Sequence, residues 1–159
     1  MVLDIFVEGC DAEMSCRYSG FSKFRCEILR GWNEELGRLY EERLGFLWDN
    51  KNTFSMLGLA NMILQPDKAK EQERRMNQIL EEYDRPYNEG MKLFFHHSDC
   101  DGEFNTKECE LVLKAFNHVD PEKFDKSDEE TNKWLRESYD IWIEMLTYAI
   151  ENDKSIQFG

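Results

Sequence analysis

The run HSDCDGEFNTKE, from His97 to Glu108, gathers most of the residues in this chain that could do chemistry. Carboxylates at Asp99, Asp101 and Glu108, with the amide of Asn105, are oxygen donors of the kind a hard divalent cation takes. His97 near Asp99 and Glu108 has the residue types of a general acid–base cluster. His96, His97, Cys100 and Cys109 are zinc-ligand types, but their spacing lacks the paired short Cys or His turns of structural zinc sites. The same residues also serve without any ligand. Asp99 and Asp101 suit a tight turn, Gly102 supplies a left-handed conformation, and Asn105 with Glu108 can cap a helix. No phosphate loop, dinucleotide fingerprint or nucleophile motif accompanies the run, which favours a binding protein over an enzyme.

The pattern Asp-x-Asp-Gly-x-apolar-x-x-x-Glu resembles the EF-hand loop, with His97 as its first position. What the resemblance implies is a divalent-cation site, calcium or a metal that accepts nitrogen. Asp99, Asp101 and Glu108 would give side-chain oxygens, Glu103 its carbonyl, and Asn105 an oxygen directly or through water. Phe104 stands at the apolar anchor position. Cys109, Val112, Leu113 and Phe116 then place one apolar face on the exiting helix. The sequence departs from the family pattern in three ways. His97 replaces the usual first carboxylate. Lys92 and His96 stand at usually apolar positions of the entering helix. No second loop follows from Asp49 or Asp125, each of which lacks the glycine and the closing glutamate. The blocks LDIFV, YSGFSKFR and HSDCDGE are also similar to small bacterial and phage-associated proteins of uncharacterised function, which implies an intracellular setting and no catalytic residue.

Charge narrows the classes of partner. The chain of 159 residues carries a net charge of −13. Nucleic acid and anionic membrane surfaces would be repelled. From Ser98 to Glu130 there are 11 acidic and 4 basic residues, a net −7 in one stretch. Such a field attracts cations or a basic protein partner, and its blander reading is a solubilising surface. The 5 cysteines are an odd number, and MVLDIFVEGC has no basic start, so reduced thiols in the cytoplasm are expected. No apolar run approaches the roughly 20 residues of a membrane span.

Positioning these residues falls to an α-rich architecture, one domain over 1–159 with about six helices and at most a small terminal β pair. Leu3, Ile5 and Val7 share a face of a strand over Val2–Val7. Glu8–Gly20 reads as a loop. Phe21, Phe24, Ile28, Trp32, Leu36 and Leu39 form a helical stripe, with Ser22 as a cap and a kink or break favoured by Gly31 and Gly37. Phe54–Leu64 reads as a core helix, and Asp67–Glu82 as a surface helix with Pro66 in its first turn. Pro86, Asn105 and Asp120 each open a further helix, the first from a cap near Asp84. Ser127 and Glu130 suggest a capping box before a last helix striped by Trp134, Ser138, Trp142, Met145 and Ala149. The tail Ser155–Phe158 alternates and is suited to pair with the first strand. The stripes of Phe21–Leu39 and Trp134–Ile150 should face a shared core around Phe54–Leu64.

Overall fold

The structure is a computed structural model and describes residues 2–45, 66–83, 87–97 and 101–159. Strand β1 (Val2–Val7) buries Leu3, Ile5 and Val7 and turns its alternate residues outward, as a period of two requires. It pairs antiparallel with β2 (Glu13–Arg17), with Leu3 opposite Cys16 and Ile5 opposite Met14. The expected loop over Glu8–Gly20 therefore holds a second strand. Its inward residues, Met14 and Cys16, are neither β-branched nor aromatic, which is why alternation there is a weak strand signal.

Helix α1 (Tyr18–Trp32) follows β2 directly, and α2 (Glu34–Gly45) follows α1 after one residue. The cap of α1 is Arg17, without a side-chain bond, and not Ser22. The break falls at Asn33, between the two glycines. Its side-chain oxygen accepts from the Leu36 N–H at 3.0 Å and starts α2 as a cap. Helix α3 (Pro66–Glu81) begins on its proline and buries only Gln72, Met76, Ile79 and Leu80, the surface helix its sequence describes. The expected core helix Phe54–Leu64 and the cap at Asp84 lie outside the described residues.

Helix α4 (Tyr87–His96) leads to β3 (Gly102–Phe104) and then to α5 (Thr106–Phe116). A 3-10 turn (Pro121–Lys123) is capped by Asp120, whose carboxylate accepts from the Glu122 N–H. The cap of α6 (Glu129–Glu151) is Asp128, which accepts from the Thr131 N–H; the Ser127–Glu130 box does not form. Ser127 instead donates its N–H to Asp125. Strand β4 (Ile156–Phe158) closes the chain.

The strands form one sheet in the order β2-β1-β4-β3, antiparallel throughout. The tail pairs with β1 as its alternation suggests, and Asp4 and Gly159 exchange both backbone bonds at 2.8 and 2.9 Å. The architecture is mainly α, with six helices among the described residues against this small sheet. The stripes of α1 and α6 do meet in one core around Trp142; the expected centre at Phe54–Leu64 lies outside the described residues. Trp142 of α6 is fully buried, with its ring 6.3 Å from Phe21 and 6.2 Å from Phe24 of α1. Phe94, Phe104, Phe116 and Phe158 surround the same indole. Its N–H points at the Met14 sulfur, 3.2 Å away, which gives a buried donor a weak acceptor. Burying each such ring contributes about 1.5–3 kcal/mol.

Candidate functional site

Helices α4 and α5 form a helix–loop–helix unit around the His97–Glu108 run. Gly90 is buried where they cross, and a Cβ there would collide with the Leu111 carbonyl, so only glycine admits the two backbones at this distance. The helix faces follow their periodicity. Met91 and Phe94 of α4 point inward, as do Cys109, Val112, Ala115 and Phe116 of α5. Leu113, expected on that inner face, is half-buried.

Gly102 adopts φ +101°, the left-handed turn its position anticipates. The next residues make β3, which pairs with β4 through Gly102 opposite Phe158 and Phe104 opposite Ile156. The chain's own C-terminal strand thus holds the loop strand in a ladder. Phe104 is 1% exposed and anchors the loop in the core. Asn105 and Glu108 form a reciprocal capping box. The Asn105 side-chain oxygen Oδ1 accepts from the Glu108 backbone N–H at 3.0 Å, and the Glu108 carboxylate accepts from the Asn105 backbone N–H at 2.9 Å. Each thereby satisfies a backbone donor that the first turn of α5 leaves open.

His97 is half-buried at the start of the loop. Its ring centroid lies 4.4 Å from that of Phe104 and 4.3 Å from that of Phe158, so the imidazole packs against two aromatic rings. Its carbonyl accepts from the Arg25 guanidinium at 2.5 Å. Arg25 reaches the loop from α1 over the faces of Phe21 and Phe94, 4.5 and 5.7 Å from their centroids. Asp101 and Glu103 are exposed. Asp99 and Cys100 lie outside the described residues. His97, Asp101, Glu103 and Asn105 thus lie between the two helices, and Glu108 lies in the first turn of α5. Among the described residues, no group of three or more His, Cys, Asp or Glu side chains is placed to hold a metal ion.

Three of the thiols, Cys16, Cys26 and Cys109, are poor nucleophiles. Burial pushes Cys26 up to about 12 and Cys16 and Cys109 up to about 11. Cys109 is fully buried with its sulfur 3.5 Å from the Phe104 carbonyl, a core position apart from the exposed His96.

Beside the loop lies a feature with no signal in the sequence, an open groove of about 630 Å³ between α4 and α5. Glu89, Lys92, Leu93 and His96 line one wall at helical spacing, Glu108 and Leu111 the other, and His97 and Phe104 close the loop end. Only the coincidence of the α4 spacing with Leu111 could have suggested it.

The acidic stretch divides into two kinds of carboxylate. Several are engaged within the fold. Asp120 and Asp128 cap, and Glu122 binds Arg136 at 2.7 Å and Lys126 at 3.4 Å. Asp125 accepts from Lys23 at 3.0 Å and from the Ser127 N–H at 2.9 Å, and that N–H, ahead of Lys23, holds its carboxyl well below the usual range. Glu103, Glu110, Glu129 and Glu130 remain exposed. No helix among the described residues is long and apolar enough to cross a membrane. Comparison of the chain with protein-family models, with curated proteins and with solved structures found no match.

Proposed function

We propose that this chain is a small acidic interaction or regulatory protein of the cytoplasm that engages a basic protein partner. The observation that carries the reading is the exposed set Glu103, Glu110, Glu129 and Glu130 within a chain of net charge −13. Exposed like charges of that density raise the encounter rate with a positive surface and disfavour wrong partners.

The test is capture of a basic protein at low and at high salt, with the four exposed glutamates reversed to lysine in a second bait. Exposed charges are screened over about 8–10 Å at physiological ionic strength. The partner should be retained at low salt, released at high salt, and lost by the reversed bait. Capture that survives reversal returns the acidic face to a solubilising role.

A second reading is favoured by the loop itself, because the left-handed Gly102 and the buried Phe104 match the turn and anchor that an EF-hand-like cation site needs. The ligands would be Asp99, Asp101, Glu108, the Glu103 carbonyl and Asn105, with His97 at the first position. Imidazole in that place shifts the preference away from calcium toward metals that accept nitrogen. Binding would also ask Glu108 to serve the ion as well as the cap. Calorimetric titration with calcium, magnesium, manganese and zinc decides it; no heat and no thermal shift at millimolar metal leaves the loop a capped turn.

A further inference from the structure

We infer that the free edge of β2 is a self-association surface, and that its occupant is a second copy of this chain paired antiparallel about Ser15. The hydrogen bonding of the sheet fixes which groups face outward. Asp4 of β1 exchanges both backbone bonds with Gly159, on the β4 side. Its neighbours Leu3 and Ile5 therefore turn theirs to β2, where Cys16 and Met14 stand opposite them. The alternate residues of β2, Glu13, Ser15 and Arg17, point their backbone groups away from the sheet. β2 is an edge strand, and all three residues are exposed. Among the described residues, no hydrogen bond meets their N–H groups or the carbonyls of Glu13 and Ser15. The Arg17 carbonyl serves the first turn of α1, which Arg17 caps. An edge of this kind is a template for another strand.

The side chains decide the occupant. In a two-fold pairing about Ser15, the two Ser15 residues exchange both backbone bonds, and each Arg17 N–H meets the Glu13 carbonyl of the other copy. The same register sets Glu13 of each copy opposite Arg17 of the other, on the open face of the sheet. Neither side chain has an ion-pair or hydrogen-bond partner among the described residues. Opposite charges directly across two strands stabilise the pairing, and like charges oppose it. A second copy supplies this match by symmetry. The other edge, β3, is three residues long, and the same operation there would set Glu103 against itself. On the inner face the added strand covers Cys16 and Trp134, both half-buried. Both lie at this edge, since a Cβ added to Gly20 would be 3.6 Å from the Cys16 Cβ and 3.7 Å from the Trp134 ring. The net charge of −13 opposes association at long range. It is screened over about 8–10 Å at physiological ionic strength, whereas the facing charges stand one strand spacing of about 5 Å apart. The pairing does not depend on the basic-partner reading, whose exposed glutamates lie elsewhere.

The experiment is sedimentation equilibrium of the whole chain at physiological ionic strength, over a range of concentration. The chain should form a reversible dimer. Glu13→Arg sets Arg against Arg17, and Arg17→Glu sets Glu against Glu13. Each alone should weaken the dimer several-fold, up to about tenfold. An equimolar mixture of the two variants restores both facing pairs and should recover the association, a gain that a damaged fold cannot mimic. Ser15→Cys, treated with a short bifunctional thiol reagent, should be coupled into a covalent dimer, because Cα atoms in a hydrogen-bonded antiparallel pair lie about 5.5 Å apart. Gln157→Cys keeps the same native thiols and the same open face, but stands on β4 several strand spacings from its copy, and should not be coupled. A chain that stays monomeric at every concentration overturns the inference and leaves the edge to a strand of another protein. A dimer that both single variants leave unchanged also overturns it, as does equal coupling of Ser15→Cys and Gln157→Cys.

Discussion

Replacing Glu27 by glutamine should cost this protein a large part of its stability. Glu27 lies on the middle of α1 and is fully buried. One of its oxygens accepts from Lys23 at 3.0 Å and from Arg30 at 2.6 Å, and the other accepts from the Asp125 N–H at 2.8 Å. Glutamine keeps the shape but removes the charge, and it turns an NH₂ toward one of these donors. Two charge-assisted bonds at about 1.5–3 kcal/mol each set an upper figure near 6 kcal/mol. Lys23 keeps Asp125 and Arg30 keeps Glu41, and their side chains are 30% and 19% exposed, which lowers it. The expected loss is about 3–4 kcal/mol, within the range for breaking a buried ion pair from one side. For a chain of this size that is about 10 °C in melting midpoint. Urea unfolding monitored by Trp fluorescence measures it directly. A loss below about 1 kcal/mol, the scale of an exposed pair, would refute the reasoning. The network has a pH signature as well. The Asp125 carboxyl titrates lower in the fold than in the unfolded chain. Its contribution is complete above the unfolded value of roughly 3.9 and is lost as pH falls below that. Asp125→Asn should flatten the acid limb of stability.

Four further outcomes follow from the loop and the core. Gly90→Ala forces α4 from the Leu111 carbonyl and should destabilise by about 1–3 kcal/mol or more in urea unfolding. Phe158→Ala removes the ring that packs on Phe21, Phe104, Trp142 and His97; it should cost about 3–5 kcal/mol and speed amide exchange at His97 and Phe104. Asn105→Ala breaks the capping box and should cost about 1 kcal/mol, seen as a lower urea midpoint. Cys26 and Cys109, buried and raised, should resist a thiol reagent at mildly alkaline pH until the chain is unfolded; rapid native-state labelling of either would contradict their placement.

Much of this architecture is written in local pattern. The strand Val2–Val7, the stripe of α1, the surface character of α3, and the pairing tail are all legible, because each buries one face at its own period and so imprints it on the sequence. The loop was legible for the same reason: a left-handed glycine and a capping pair are demands that a few neighbouring residues meet among themselves. Strand β2 was hidden because its inward residues pack well without being typical strand formers, and the cap of α6 slipped because Ser127 and Asp128 compete at its start. Other features depend on residues far apart in the chain. The pairing of β3 with β4, His97 between Phe104 and Phe158, the reach of Arg25 to the His97 carbonyl, and the carboxylate of Glu27 under the Asp125 N–H join elements by tertiary contact alone. The same holds for charge. Composition determined that the chain is strongly acidic, but only packing decided that Asp125 meets Lys23 while Glu103 and Glu110 face water. A side chain's type states what it can bond to, and which partner comes within reach is set by where distant helices cross.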